Sequence, residues 1–182
     1  MKKKTIALVA IIGLALNIKV SQAQVGESNS KLIQESTEVL SEMVHKNPSL
    51  KSYYDESYGY AIFPKVTKAA ATVGGALGRG IVYKNHLAMS TSNLKQLTVG
   101  FQFGGQQYSE VIFFENKEAF DHFMNNKLKF DAQASAIALK SGASANAVYA
   151  KGVAVFTEAI GGLMYEASIG GQHFSNDSLI NP

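Results

Sequence analysis

The chain has no cysteine and no tryptophan, and only 3 of its 182 residues are proline. Without cysteine there are neither disulfides nor thiolate metal sites, so packing and strand pairing must supply the stability. Histidine is scarce as well. His45, His86, His122 and His173 lie far apart, and no HExxH or HxH occurs. A metal would have to be assembled from four separate elements, and surface positions are the simpler reading. There is no Gly-x-Ser-x-Gly elbow for a serine nucleophile. The glycine-rich stretch Gly74–Gly80 lacks a following Lys-Ser/Thr and runs into a strand pattern instead of a helix, which excludes a phosphate loop.

Charge of one sign is also missing once the first residues are set apart. Lys2-Lys3-Lys4 reads as a positive n-region and Thr5–Leu16 as an apolar h-region. Ser21-Gln22-Ala23 then offers small residues for cleavage before Gln24. The apolar run is about a dozen residues, short of the roughly 20 that a spanning helix needs. Residues 1–23 are therefore expected to be a signal peptide, and no cysteine follows to carry a lipid anchor. Export to the periplasm or the exterior is the corresponding localisation. Without Lys2, Lys3, Lys4 and Lys19, 13 basic residues face 14 acidic ones, so the net charge is −1 instead of +3. That balance gives no footprint for nucleic acid.

What is present is a change of period. Gln24–Ser30 reads as a polar, disordered lead-in, with Ser30 placed to cap a helix over Lys31–Lys46. Leu32, Ile33, Val39, Leu40, Met43 and Val44 form its apolar side, and Asn47-Pro48 ends it. Residues 24–49 thus make a leader and one amphipathic helix that packs on the core or meets a membrane.

From Tyr58 the period is two. Strands are expected over Tyr58–Phe63 (ending at Pro64), Ala70–Gly75, Gly80–Lys84, Leu87–Ser90, Lys95–Phe103 and Gln107–Phe114. Hairpin turns fall at Gly74–Gly80 and at Gly104-Gly105. Asn116 caps a short helix containing Phe120, Phe123 and Met124. Lys129–Leu139 alternates alanine with larger residues and reads as a strand, Ser141–Asn146 as a loop. Val153–Ile160 and Leu163–Ile169 read as a last hairpin across Gly161-Gly162, and 177–182 as a tail.

A phrase occurs twice: Gly104-Gly105-Gln106-Gln107-Tyr108-Ser109 and Gly170-Gly171-Gln172-His173-Phe174-Ser175. Paired glycines in strands mark bulges, bends or close backbone approach. The fold class is therefore α+β: a curved, mostly antiparallel sheet of about eight strands, barrel- or sandwich-like, with an N-terminal helix and one short inserted helix.

Chemistry is sparser than architecture. Ser109 and Ser175 occupy matching places in the repeats, which suits turn-stabilising hydroxyls better than one nucleophile. Glu110, Glu115, Glu158 and Glu166 show no acid/base spacing, so no catalytic residue is assigned and no enzyme is expected. Lys65, Lys68, Arg79 and Lys84 flank the expected Gly74–Gly80 hairpin, with Arg79 at its tip. They could converge into a small cationic patch for headgroup phosphate, or simply be a solvated edge that deters strand pairing.

Tyr58-Gly59-Tyr60-Ala61-Ile62-Phe63-Pro64-Lys65-Val66 followed by Val73-Gly74-Gly75 resembles the opening of the SYLF domain. Gly104-Gly105-Gln106-x-Tyr108-Ser109-Glu110-Val111-Ile112-Phe113-Phe114 is similar to its central signature. Ala132-Gln133-Ala134-Ser135, Gly161-Gly162-Leu163-Met164-Tyr165-Glu166-Ala167 and Gly170-Gly171-Gln172 resemble its closing segments. The resemblance covers about Leu50 to Ser175, within a domain bounded at 50–176. It implies a non-catalytic lipid-binding module without cofactor, associating with anionic phospholipid or a membrane surface at the cell envelope. Eukaryotic relatives bind phosphoinositides and, in some fungal cases, actin. No actin-contact motif can be matched here, and no protein partner is identified. An envelope scaffold with incidental lipid binding is the alternative. A hydrolase would require Ser109 or Ser175 beside a histidine.

Overall fold

The computed structural model describes residues 26–70, 73–99, 104–130, 135–138, 149–160 and 167–179. Among these are three helices, α1 (26–46), α2 (Leu50–Glu56) and α3 (Lys117–Met124). The strands are β1 (Gly59–Ala70), β2 (Val73–Lys84), β3 (Leu87–Val99), β4 (Gly104–Phe114), β5 (Ser135–Ala138), β6 (Val153–Ala159), β7 (Ala167–Ser168) and β8 (Gln172–Ser178). Their order in one sheet is β7-β5-β6-β4-β1-β2-β3-β8. Every pairing is antiparallel except β5 with β6. The expected α+β class with a curved antiparallel sheet holds.

Chain connectivity forces the curl. β7 and β8 stand at opposite edges of the sheet, yet only residues 169–171 separate them. Four residue steps reach at most roughly 14 Å, whereas seven flat interstrand spacings would cover roughly 34 Å. The sheet must therefore bend its edges toward each other. Side chains meeting across the bend record this. Phe63 of β1 and Phe174 of β8 are three strands apart in the order, and their ring centroids are 5.8 Å apart.

Two cores follow, one on each face. The inward core joins Ala61, Phe63, Val66, Leu94, Ile112 and Phe174, and α3 adds Phe120 and Phe123. Asn116 starts α3 as expected, its Oδ1 accepting from the Ala119 amide at 3.0 Å. The outward core sets Leu32, Leu40 and Met43 of α1 and Leu50 of α2 against Tyr60, Ile62, Ile81, Tyr83, Val111, Phe113 and Phe156. Lys46 pins the far end of α1 to Glu158 of β6 at 2.7 Å.

Several expected boundaries are corrected. Residues 26–30 are helical, not disordered, and Ser30 does not cap: its hydroxyl donates to the Gly26 carbonyl within the helix. α2 had no expected counterpart. β1 runs through Pro64 because a bulge lies there, with the register shifting between Ile62 and Lys65 against β2 and between Phe63 and Val66 against β4. A bulge tolerates the missing N–H of proline. Ser109 holds it, its buried hydroxyl donating to the Pro64 carbonyl at 2.8 Å.

Gly74–Gly80 is not a turn but part of the continuous strand β2. Here glycine serves close approach. A Cβ at position 80 would lie 2.4 Å from the Ile62 carbonyl oxygen and 2.7 Å from Phe63 Cδ1. Leu87–Ser90 and the start of Lys95–Phe103 merge into β3, and Gly104-Gly105 opens β4 while pairing with Ala70 and Ala69. β6 and β7 are not hairpin partners, because β5 lies between them. The turn expected at Gly161-Gly162 lies outside the described residues, as do Ser141–Asn146 and most of Lys129–Leu139, of which 135–138 is strand. Gly170-Gly171 precedes a strand, β8, that was expected to be tail from 177 on, and Gly171 takes φ +74°.

The substitution Gly80→Ala should destabilise the fold by about 2 kcal/mol or more, because backbone and a core ring both stand in the way. Gly26→Ala, where nothing lies within 4 Å, should be neutral or stabilising by up to about 1 kcal/mol. Removing the bulge hydroxyl with Ser109→Ala should cost about 1 kcal/mol by leaving the Pro64 carbonyl unpaired. Urea denaturation of the three variants measures all of these.

Candidate functional site

The outward face is only half covered. α1 crosses it from Arg79, whose guanidinium donates to Ser28 Oγ at 3.0 Å and Asn29 Oδ1 at 2.7 Å, to Glu158. Beyond Arg79, toward the β1–β2 connection, strands β1, β2 and β3 present their outward side chains uncovered. The register fixes which ones meet. Lys65 is opposite Arg79, Arg79 opposite Asn93, Thr67 opposite Leu77, and Leu77 opposite Lys95. Leu97 faces Gly75 one step further on.

The result is a mixed cationic and apolar surface. Leu77 is 64 % exposed and Leu97 71 % exposed, large values for leucines on strands that bury leucine elsewhere. Lys65, Arg79 and Lys95 are also exposed. A shallow groove of about 350 Å³ runs between Lys65, Thr67, Leu77, Arg79, Asn93 and Lys95, and no carboxylate lines it. His173 of β8, opposite Lys95, continues the same face.

The four expected cations are thus divided. Lys65 and Arg79 are neighbours, although Arg79 lies within a strand and not at a hairpin tip. Lys68 points inward with Val66, is 7 % exposed, and has its pKa lowered by burial. Lys84 sits at the opposite end of β2, its ammonium 4.9 Å from the centre of the Tyr58 ring. Lys95, Leu77 and Leu97 were missed. The signal for them was available: Leu77 and Leu97 share the parity of charged neighbours, Leu77 with Arg79 and Leu97 with Lys95.

The structural glycines also sort themselves. Gly74, Gly75, Gly104 and Gly105 lie within paired strands, and Gly170 and Gly171 form the turn before β8. Gly161 and Gly162 lie outside the described residues.

A serine nucleophile finds no support in this geometry. Ser109 is buried and committed to the Pro64 carbonyl, while Ser175 is an exposed strand residue opposite Asn93. Neither sits in a turn, as had been expected. The histidines stand on α1, the β2–β3 turn, α3 and β8. Among the described residues no group of three or more His, Asp and Glu could hold a metal ion, and no described helix is long and apolar enough to cross a membrane.

Comparison with known proteins bears mainly on the later strands, from the second half of β3 onward. Residues 95–181 match a family model described as "Ysc84: Las17-binding protein actin regulator". Over 134 residues the chain is 28 % identical to "Beta cell expansion factor A" of Aeromonas veronii, a match covering 72 % of this chain and 51 % of that protein. The chain thus spans about half the length of this curated relative. The matched segment begins at Lys95 and takes in both copies of the repeated Gly-Gly-Gln phrase, at the start of β4 and at the turn into β8. Over residues 95–181 the chain is thus similar to the Ysc84 (SYLF) family, the family its sequence motifs resemble.

Proposed function

We propose that this protein is an exported, non-catalytic lipid-binding protein that associates with anionic phospholipid at or near the cell envelope. The uncovered half of the outward face is the contact surface. One observation carries this reading: two highly exposed leucines, Leu77 and Leu97, are interleaved with Lys65, Arg79 and Lys95 on one sheet face. Cations draw such a face toward headgroup phosphate, and the leucines then leave water for the interfacial region. The n-region and h-region of the first 23 residues support export and a peripheral position at a membrane.

Magnitudes show why both kinds of residue matter. A basic residue near an anionic surface contributes about 1 kcal/mol, so three contribute about 3 kcal/mol. That alone corresponds to binding weaker than about 1 mM. Burying a leucine side chain adds up to about 1.5–3 kcal/mol, and two of them carry the sum to about 6–9 kcal/mol, from tens of micromolar to just below micromolar. Arg79 exchanges bonds to two neutral oxygens, Ser28 Oγ and Asn29 Oδ1, for bonds to anionic phosphate oxygens, in which both partners are charged and which are stronger.

Cosedimentation with anionic vesicles tests this surface. The triple variant Lys65→Ala/Arg79→Ala/Lys95→Ala should bind about 100-fold more weakly and lose most of its salt dependence. The double variant Lys68→Ala/Lys84→Ala should lie within about threefold of the parent protein, because neither cation belongs to the face. Equal binding by the parent and the triple variant would overturn the assignment.

A further inference from the structure

The inward face carries a polar seam that lipid binding does not use. Glu110 of β4 is 0 % exposed, and its Oε2 accepts a 3.0 Å hydrogen bond from Gln172 Nε2 of β8. These strands are four positions apart in the sheet, so the contact bridges the mouth of the curl directly. Glu110 Oε1 and Gln172 Oε1 both lack a hydrogen-bond partner among the described residues, as do the nearby Tyr108 hydroxyl and Thr157 Oγ1. Thr157 is the β6 neighbour of Glu110, and Tyr108 lies two residues before Glu110 on the same face. The amide of Gln172 is also close enough to influence the Tyr108 hydroxyl.

We propose that Glu110 is a proton-operated clasp: neutral, it locks β8 across the curl onto β4 through Gln172, and ionised, it releases that lock. The reasoning is one of matching donors to acceptors. An ionised carboxylate only accepts, which leaves two oxygens, Glu110 Oε1 and Gln172 Oε1, with no hydrogen between them. A proton on Glu110 Oε1 supplies the missing donor. Acid and amide can then close a two-bond pair: the Gln172 N–H donates to one oxygen of Glu110, and the acid O–H donates to the Gln172 carbonyl. Ionisation removes that second bond and leaves a charge in the core, a costly combination unless the site opens to water.

Among the described residues none places a counter-charge beside Glu110. Of the inward-facing described groups, β1 contributes Phe63 beside Glu110 and Lys68 further along, β4 contributes Tyr108, and β6 contributes Thr157. β3 and β8 contribute Gln96 and Gln172. The charged side chains of α3 and the rest of β8, including His173 and Asp177, face outward or lie exposed. Burial accordingly raises the carboxyl from its ordinary 4.5 to about 7, and the bond from Gln172 offsets only part of that effect. Because the folded form holds the proton more tightly than the unfolded chain, this group favours folding most at acidic pH. That advantage is lost as pH rises from about 4.5 through 7, by on the order of a hundredfold in the folding equilibrium.

The test compares the protein with its Glu110→Gln variant, which keeps the shape and cannot ionise. Between about pH 5 and pH 8.5, the parent should lose folding stability on the order of a hundredfold more than the variant. At the alkaline end, amide exchange over Gln172–Ser178 should be faster in the parent. Infrared spectra of the unmutated protein should show a protonated carboxyl band disappearing near pH 7, a readout that does not depend on the variant folding. Parallel stability profiles for the two proteins would overturn the clasp, and so would the absence of any carboxyl titrating near neutrality.

Discussion

One extra residue in β1, at Pro64, sets the parity of everything beyond it. From Tyr60 and Ile62, which face outward, counting by twos would send Lys68 outward and Lys65 inward. The bulge reverses both. Lys65 and Thr67 join the outward face beside Arg79 and Leu77, while Val66 and Lys68 turn into the curl. The shift occurs against β2 and β4 alike, so it acts on the centre of the sheet rather than an edge. Proline suits the place because a bulge leaves one N–H without a ladder partner, and Ser109 ties down the adjoining carbonyl. The cationic and apolar surface exists in this form because of that single residue.

The curl gives the two faces different work. Inside, apolar side chains and α3 fill one end, and the Glu110–Gln172 bridge crosses the other part of the interior. Outside, α1 and α2 cover the aromatic half, where Tyr60 stacks on Tyr83 with centroids 5.0 Å apart and Phe113 meets Phe156. The remaining outward half stays open. Leu87 is exposed as well, alone at the start of β3, but Leu77 and Leu97 stand together in water among cations, and contiguous exposed apolar residues mark contact sites. The proposed occupant, lipid, suits both the leucines and the cations around them.

Much of the architecture was legible in the chain. Alternation located most of the strands, Asn116 announced α3, the repeated Gly-Gly-Gln-x-x-Ser phrase pointed to a bent antiparallel sheet, and the combined glycine motifs carried the resemblance to the SYLF domain. What misled was glycine and proline read as punctuation. Gly78 and Gly80 are needed for contact with Val66, Ile62 and Phe63 across the ladder, not for turning. Pro64 bends parity without ending its strand. The site was half legible for the same reason. Charge alone chose Lys65, Lys68, Arg79 and Lys84, but which cations share a face depended on a register that only the bulge determines. Gln172 belongs to the repeated phrase, but nothing local pointed to its partner 62 residues earlier.

The central claim, that the open outward half of the sheet meets anionic lipid, is tested most directly by depth. A chain without cysteine accepts a single environment-sensitive probe at Leu77→Cys, Leu97→Cys or Leu87→Cys, the last being 73 % exposed at the start of β3, opposite Lys84 at the far end of β2. On anionic vesicles the probes at 77 and 97 should move into an apolar environment and the probe at 87 should stay in water. Burial of the probe at 87, or no change at 77 and 97 on bound protein, would contradict the account.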